Sequence, residues 1–469
     1  MQRYPARGNK YRHKHQLFNR AYIFHFRRTM QLAWPVVLSQ LSHILVGLAD
    51  SVMVGQTGKI PLAASALGQA VWGIMFCFAL GVSYGLTPLI ARADGEGNHN
   101  DIKALFKNSF ILNMMLGIIM LCLAPFMPLV LGFLGQKPEV IAPAGPFLFV
   151  FMLSLFPMMF FFSFKQFAEG MSSTRPAMII SLGACAVNIG LNFLLIFGNL
   201  GFPKMGLQGA AWATFISRSL MAIAMCIYVW RNPAFKQYLF RLNFGGFSWA
   251  YCMRILKVGF PVCLQFLFEF GTFSAAAIIA GQISSTAQAA HQIALNLAAI
   301  TYMAGSGISA AASVRIGNYL GRRDYRGLTM AGKSAFLLVI AFMSACAVVF
   351  IFSSGFLPAM YTTDKDVIRA ASELVVIAAF FQLSDGIQVV GQGVLRGMAD
   401  VKVPTLLSLL SYWLLGIPVG WFLGVYLEMG VRGIWYGLLL GLTSSAVMLL
   451  IRFFGMARRQ KNNMISAAF

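Results

Sequence analysis

The chain has 469 residues, of which 58% are hydrophobic and 11% are charged, and its mean hydropathy is +0.73. Soluble globular proteins carry about 25% charged residues, so this composition excludes a soluble domain and makes the lipid bilayer the main solvent. The formal net charge of +22 raises nucleic acid as a partner, and the placement of the basic residues has to decide between that partner and a membrane surface.

Twelve apolar stretches of about 20 residues or more are long enough to cross a hydrocarbon core. They lie near residues 29–54, 62–91, 105–131, 140–164, 177–198, 207–230, 255–281, 289–316, 331–353, 367–395, 404–427 and 431–454. Strands of membrane barrels alternate apolar and polar residues, whereas these runs are continuously apolar. The predicted fold class is therefore an all-α membrane protein with twelve transmembrane helices.

The basic residues follow a topological pattern. If the N-terminus is cytoplasmic, 29 of the 36 Lys and Arg residues fall on the cytoplasmic side, six fall on the opposite side, and Arg218 alone lies inside a span. This asymmetry predicts a multi-pass protein of the cell inner (cytoplasmic) membrane with both termini in the cytoplasm. The basic residues would then contact anionic membrane lipids, and no nucleic-acid partner is expected.

The two halves of the chain are related in sequence. Leu32 to Pro35 aligns with Val258 to Pro261 at an offset of 226, and the alignment continues without a gap for some sixty residues. Because each half has an even number of spans, both enter from the same side, which is a parallel duplication about an axis along the membrane normal. We expect two pseudo-symmetric six-helix lobes around a central cavity. The predicted divisions are a basic cytoplasmic tail at 1–28, whose composition favours disorder, an N-lobe at 29–230, a cytoplasmic linker at 231–254, a C-lobe at 255–454 and a cytoplasmic tail at 455–469.

Three carboxylates lie inside predicted spans: Asp50 in the first, Glu269 in the seventh and Asp385 in the tenth. A charged side chain in a helix core costs roughly 2.5–3.5 kcal/mol or more, so it needs a partner. Because Arg218 is the only base at comparable depth, a permanent pair for all three is not expected. The partner is then one that comes and goes, such as a proton, a sodium ion or a cationic substrate. The alternative is a packing carboxyl that bonds to neighbouring hydroxyl groups.

Other polar side chains recur inside the spans, where they either join helices together or line a cavity. Asn188 and Asn192 are one helical turn apart and share a face. The remaining members of this group are Gln40, Gln265, His291 and Gln292. A chamber lined by Phe and Met with a few carboxylates would suit flat lipophilic cations.

Several segments together resemble a known family. They are LADSVMVG at 48–55, EGMSSTRPAM at 169–178, GAAWAT at 209–214, AAHQIALN at 289–296 and LRGMAD at 395–400. Over roughly Thr29 to Arg452 the chain resembles the multidrug and toxic compound extrusion (MATE) transporters, especially the NorM-like branch. The resemblance implies a secondary active antiporter, not an enzyme, that exports small lipophilic organic cations in exchange for Na⁺ or H⁺ by alternating access. It implies no cofactor, and a monomer is expected.

The resemblance also assigns roles to residues. Asp50 is similar to the acidic residue of the family's N-lobe site, near Asn188, Asn192 and Thr214. Glu269 and Asp385 are similar to the C-lobe cation-binding pair, which could hold Na⁺. The chain departs from the pattern at two positions. Phe381 stands where some relatives have a tyrosine, and Asn192 stands where archaeal-type relatives have a second acid.

Three alternatives to antiport remain. A flippase for lipids or lipid-linked substrates, from the same superfamily, would need a basic cavity, and only Arg218 is available. A membrane-embedded enzyme would need a HExxH, P-loop or nucleophile motif, and the sequence contains none. A channel would need a charged pore ring, which the spans lack. The flippase is the leading alternative.

Overall fold

The structure is a computed structural model that describes residues 8–132, 138–239 and 247–466, with side chains described for 22–132, 138–239 and 247–460. The predicted tails and linker therefore lie in part outside the described residues, at 1–7, 240–246 and 467–469.

Within the described ranges, twelve helices are long and apolar enough to cross a membrane, and no strand occurs. These helices are α1 Gly8–Gly55, α2 Lys59–Glu96, α3 His99–Gly132, α4 Pro138–Gly170, α5 Arg175–Phe197, α6 Leu207–Arg231, α7 Trp249–Ile283, α8 Ser285–Gly321, α9 Tyr325–Phe352, α10 Lys365–Gly397, α11 Lys402–Tyr426 and α12 Val431–Ser466. The prediction of an all-α fold with twelve transmembrane helices is confirmed.

The N-terminal part of α1 corrects one expectation. The backbone is helical from Gly8, so the prediction of a disordered segment before Thr29 is wrong for residues 8–28. No Pro or Gly interrupts residues 9–28, and the helix of the first span can therefore continue into the basic segment.

Several transmembrane helices are interrupted. A short break at Gly85 divides α2 into Lys59–Tyr84 and Leu86–Glu96, and a break at Ser154 divides α4. Two π-helical segments, Leu410–Gly416 and Phe422–Tyr426, interrupt α11. Such segments leave backbone groups without their regular partners and often occur at functional positions.

The two halves of the chain pack through small residues. Helix α1 packs against α8, and α2 packs against α7. A Cβ atom added at Gly81 of α2 would overlap the backbone of Cys263 in α7, and one added at Gly307 of α8 would overlap Val37 of α1. The two contacts are equivalent at the offset of 226. Glycine at both positions lets the helix backbones approach closely.

The pseudo-twofold axis passes between Ala91 in α2 and Gly317 in α8. These residues are 226 positions apart, and a Cβ at Gly317 would lie 3.1 Å from the Cβ of Ala91. One turn further along, a Cβ at Gly95 would overlap the carbonyl oxygen of Asn318, and the equivalent contact occurs on the other side of the axis. The close contacts thus lie at one end of the bundle. We call it the basic face: the end with the connections between α2 and α3, α4 and α5, α6 and α7, and α8 and α9.

Candidate functional site

The first polar cluster joins three helices of the first half. Asp50 of α1 is 7% exposed, and Nδ2 of Asn192 in α5 donates to its Oδ1 at 2.5 Å. The hydroxyl of Thr214 in α6 donates to Oδ2 at 3.4 Å. Asn188 accepts from Asn192 at 3.2 Å and donates to Thr214 at 3.3 Å. The structure therefore brings together the four residues that the resemblance grouped.

Neutral donors hold the Asp50 carboxylate, and Oδ1 of Asn192 has no partner among the described residues. The base of the same region, Arg218 in α6, is held elsewhere. Its Nη1 donates to the hydroxyl of Ser154 at 2.5 Å, and its guanidinium lies 4.4 Å from the ring centroid of Trp72. Arg218 is therefore in electrostatic range of Asp50 but forms no ion pair with it.

The second polar cluster lies in the second half. Glu269 of α7 is 7% exposed and Asp385 of α10 is 3% exposed, and each lies within electrostatic range of the other. Tyr302 of α8 and Tyr412 of α11 are in electrostatic range of both acids. Oε2 of Glu269 and the Tyr412 hydroxyl have no hydrogen-bond partner among the described residues. Buried polar groups without partners are rare and indicate a group that binds there.

The two tyrosines are functional candidates that the sequence reasoning missed. Tyrosine is common in membrane helices, and only the folded arrangement places Tyr302 and Tyr412 near the acids. Phe381 presents no oxygen and packs against Trp435 with ring centroids 5.6 Å apart. The one feature of the sequence that could have indicated these two tyrosines is a hydroxyl group within an otherwise apolar segment.

Bases on other helices are buried more completely than Arg218, which is half-buried. Lys165 is 1% exposed and Arg396 is 8% exposed. Lys165 pairs with Glu169 one turn away, with 3.6 Å between Nζ and Oε1. Arg396 lies 5.3 Å from the ring centroid of Tyr84. Both bases are near the basic-face ends of their helices, and the contact of Arg396 with Tyr84 joins the two halves.

The remaining predicted residues are dispersed. Gln40 donates to the Tyr84 hydroxyl at 3.3 Å, between α1 and α2. Gln265 of α7 is 2% exposed. His291 is completely buried, and its Nδ1 accepts from Nε1 of Trp435 at 3.2 Å inside the second half. Gln292 is exposed and donates to Asn296 at 3.1 Å.

Comparison with known proteins identifies the family by sequence. The MatE family model matches residues 35–194 and 261–422, and the two matches begin 226 residues apart. A probable multidrug resistance protein NorM from Xylella fastidiosa (strain 9a5c) is 34% identical over 427 residues, which cover 91% of each chain. A protein of the same name from Agrobacterium fabrum is 31% identical over 441 residues, with 93% of this chain and 95% of the relative covered.

Solved structures share the fold. A multidrug resistance MATE family transporter of the MOP superfamily, in an outward-facing conformation, matches with a TM-score of 0.87 and 19% identity over 93% of this chain and 97% of that chain. The eukaryotic MATE transporter AtDTX14 matches with a TM-score of 0.85 and 18% identity over 94% and 99%. The chain belongs to the MatE family and is an integral membrane transporter rather than an enzyme.

Proposed function

We propose that the chain is a multidrug efflux antiporter that exports lipophilic organic cations in exchange for Na⁺ or H⁺. The observation that carries the proposal is the buried pair Glu269 and Asp385. Neither acid forms a salt bridge with a described Lys or Arg side chain. The relatives that are named multidrug resistance proteins support the choice of substrate class.

The pair needs a mobile cation because two carboxylates at close range repel each other when both are ionised. A proton would neutralise one of them, and a sodium ion would be shared between them. Tyr302 and Tyr412 are in electrostatic range of both acids, and their hydroxyl oxygens are proposed as further ligands. Within the described residues, no group of three or more His, Cys, Asp and Glu side chains could hold a metal ion. The tyrosines therefore matter more for Na⁺ than for H⁺.

Exchange follows from differential binding of the two cations. While the acids are ionised they attract a cationic substrate, and when an external cation neutralises them the attraction weakens and the substrate leaves. A difference in affinity between two conformations is what couples the two movements. One charge that crosses about 100 mV contributes roughly 2.3 kcal/mol, which allows more than tenfold accumulation of substrate. The Asp50 cluster would serve as a second polar site, in the first half.

The basic face is proposed to be cytoplasmic, as are both termini, because basic residues concentrate there. The glycine contacts at Gly95 and Gly321 close the halves together at this face. Substrate would enter when these contacts open and leave at the opposite end when they close. The closed arrangement would accordingly be the state that releases substrate outside the cell.

The direct test uses purified protein in liposomes, with ethidium transport followed under an imposed Na⁺ gradient and then under a pH gradient. Glu269→Gln and Asp385→Asn should abolish gradient-driven transport. Asp366→Asn is a matched control, because Asp366 lies on the same helix as Asp385 and is exposed. Transport by the wild type under one gradient alone identifies the coupling ion. Full transport in both acid variants would remove the proposed coupling site.

A flippase for lipid-linked substrates is the second candidate, and the buried Arg396 favours it. A base between the halves is a feature that a phosphate-bearing substrate would require. Absence of ethidium transport under either gradient, with the protein folded, would shift the proposal to this class. Transbilayer movement of a fluorescent anionic lipid would then be measured with Arg396→Gln as the variant.

A further inference from the structure

A cavity of about 700 Å³ opens on the basic face, between the two halves. The start of α1, the turn before α5 and the end of α8 form its walls. Four arginines and one carboxylate contribute the charges, which gives the lining a formal charge of +3. They are Arg28, Arg175, Arg315, Arg322 and Asp94.

Two of these five groups build the wall. Arg315 is 7% exposed, and its Nη1 donates to the carbonyl of His25 at 2.8 Å and to the hydroxyl of Thr29 at 2.5 Å, so it fixes α8 to α1. Asp94 accepts from Nδ2 of Asn318 at 2.6 Å. These contacts keep the cavity open between the helices.

The other three groups form no ion pair within the described residues, and the guanidinium of Arg28 lies 5.6 Å from the ring centroid of Phe24. Arg28, Arg175 and Arg322 are exposed, and none of their guanidinium groups forms a hydrogen bond or salt bridge with a residue whose side chain is described. Guanidinium groups that converge on one cavity match the geometry of phosphate oxygens, to which they donate in pairs.

The N-terminus of α5 adds donors of a different kind. Its N-cap residue is Thr174, whose side chain makes no capping hydrogen bond, and Thr174 also lines the cavity. The backbone N–H groups of Arg175 and Ala177 in the first turn of α5 therefore receive no acceptor from the cap, and Pro176 between them has no N–H. The positive end of a helix dipole and unpaired N–H groups favour an anion at this position.

Apolar side chains at the rim indicate what carries the anion. Phe24 is 51% exposed, and Leu32 and Met171 also line the cavity. An occupant with an anionic head and an apolar tail satisfies both parts of the lining, and a soluble anion satisfies only one. We propose that this cavity binds the phosphate group of an anionic phospholipid from the adjacent leaflet.

The duplication does not explain the unpaired arginines. At the offset of 226, the equivalent of Arg28 is Arg254, which forms a salt bridge with Asp101 at 2.8 Å. The equivalent of Arg322 is Glu96, of opposite charge. The cavity is thus a feature of one half-to-half junction and not of its repeat.

The site also has a conformational consequence. Arg28 and Arg175 belong to the first half and Arg322 to the second, so one headgroup would join the halves at the basic face. A ligand that binds one conformation better than another stabilises that conformation. Anionic lipid would accordingly favour the closed arrangement of this face.

The test uses the full chain in detergent after lipid removal, with binding followed by native mass spectrometry. The ligands are dioctanoyl phosphatidylglycerol, dioctanoyl phosphatidylcholine and inorganic phosphate. The variant is Arg28→Gln/Arg175→Gln/Arg322→Gln. The matched control, Arg231→Gln/Lys257→Gln/Arg326→Gln, removes three exposed basic residues outside the cavity.

We expect the wild type to bind phosphatidylglycerol and not phosphatidylcholine, the cavity variant to lose at least tenfold in affinity, and the control to keep wild-type affinity. Equal affinity in the cavity variant and the wild type would overturn the site. An equal loss of affinity in the control variant would show that binding depends on general surface charge and not on this cavity. If inorganic phosphate at the same concentration displaces the lipid, the ligand of the cavity is a soluble anion and not a phospholipid. The single variants Arg175→Gln and Arg322→Gln keep the test valid if the triple variant fails to fold. Binding needs no transport, so the result is independent of the antiport proposal.

Discussion

Replacement of Gly307 by alanine should push the two halves apart. The added Cβ would overlap Cγ2 of Val37 and lie 2.9 Å from its backbone nitrogen, and that nitrogen cannot move away by a rotamer change. Overpacking at a tight contact costs roughly 1–3 kcal/mol. Alanine also has a helix propensity about 1 kcal/mol more favourable than that of glycine. Because α8 is helical in both the closed and the open arrangement, this gain does not change the balance between them. The open population should therefore rise by about 5- to 150-fold.

Cys263 reports this opening from a distance. It is completely buried and lies at the equivalent contact across the pseudo-twofold axis, against Gly81. With the other six cysteines replaced by alanine, the rate of maleimide labelling at Cys263 measures how often α2 and α7 separate. Labelling should accelerate in Gly307→Ala in proportion to the open population, and further in Gly307→Leu.

Gly183→Ala is the matched control, because nothing lies within 4 Å of a Cβ at that position in α5. Its labelling rate should equal that of the unmodified background. A thermal melt of each variant separates opening from unfolding. If Gly307→Ala labels at the background rate while it remains folded, the two glycine contacts do not open together and the gating argument fails.

Three further predictions concern the polar clusters and one ion pair. Asn192→Leu removes the 2.5 Å donor to Asp50 and should lower the free energy of unfolding by roughly 1–3 kcal/mol, seen as a lower melting temperature; an unchanged melt would contradict it. Tyr412→Phe removes a hydroxyl without a described partner, so the melting temperature should not fall, whereas half-maximal transport should need roughly tenfold more coupling ion. Unchanged ion dependence would exclude this hydroxyl as a ligand. Arg254 and Asp101 bond at 2.8 and 3.0 Å, but the arginine is 42% exposed, so a double-mutant cycle should give a coupling of about 0.2–1 kcal/mol that decreases with salt.

The transmembrane helices and the duplication could be predicted because each depends on local sequence. The length and hydropathy of an apolar segment indicate by themselves that it spans a membrane, whichever helices pack against it. The offset of 226 pairs Gly81 with Gly307, and the structure places both glycines at helix crossings. Small residues at equal positions in both halves were therefore informative about packing.

The buried bases could not be predicted, because burial near a helix end depends on how the halves meet. Lys165 and Arg396 follow long apolar runs, where a sequence pattern indicates a solvated loop end. In the structure Glu169 pairs with Lys165 within the first half, and Tyr84 of the first half lies against Arg396 of the second. Tyr302 and Tyr412 were missed for a related reason, since their nearest acids lie on other helices.

The charged positions, unlike the packing positions, no longer follow the duplication. Within the gap-free part of the alignment, the equivalent of Asp50 is Ala276, and the equivalent of Glu269 is His43. The contacts at the axis, such as Ala91 with Gly317, require small residues in both halves, because a conformational change of paired halves needs matching surfaces. The acids carry no such requirement and are free to differ. Each half thus presents carboxylates at different positions along the membrane helices, Asp50 in the first half and Glu269 with Asp385 in the second, so the two polar clusters are not copies of one site.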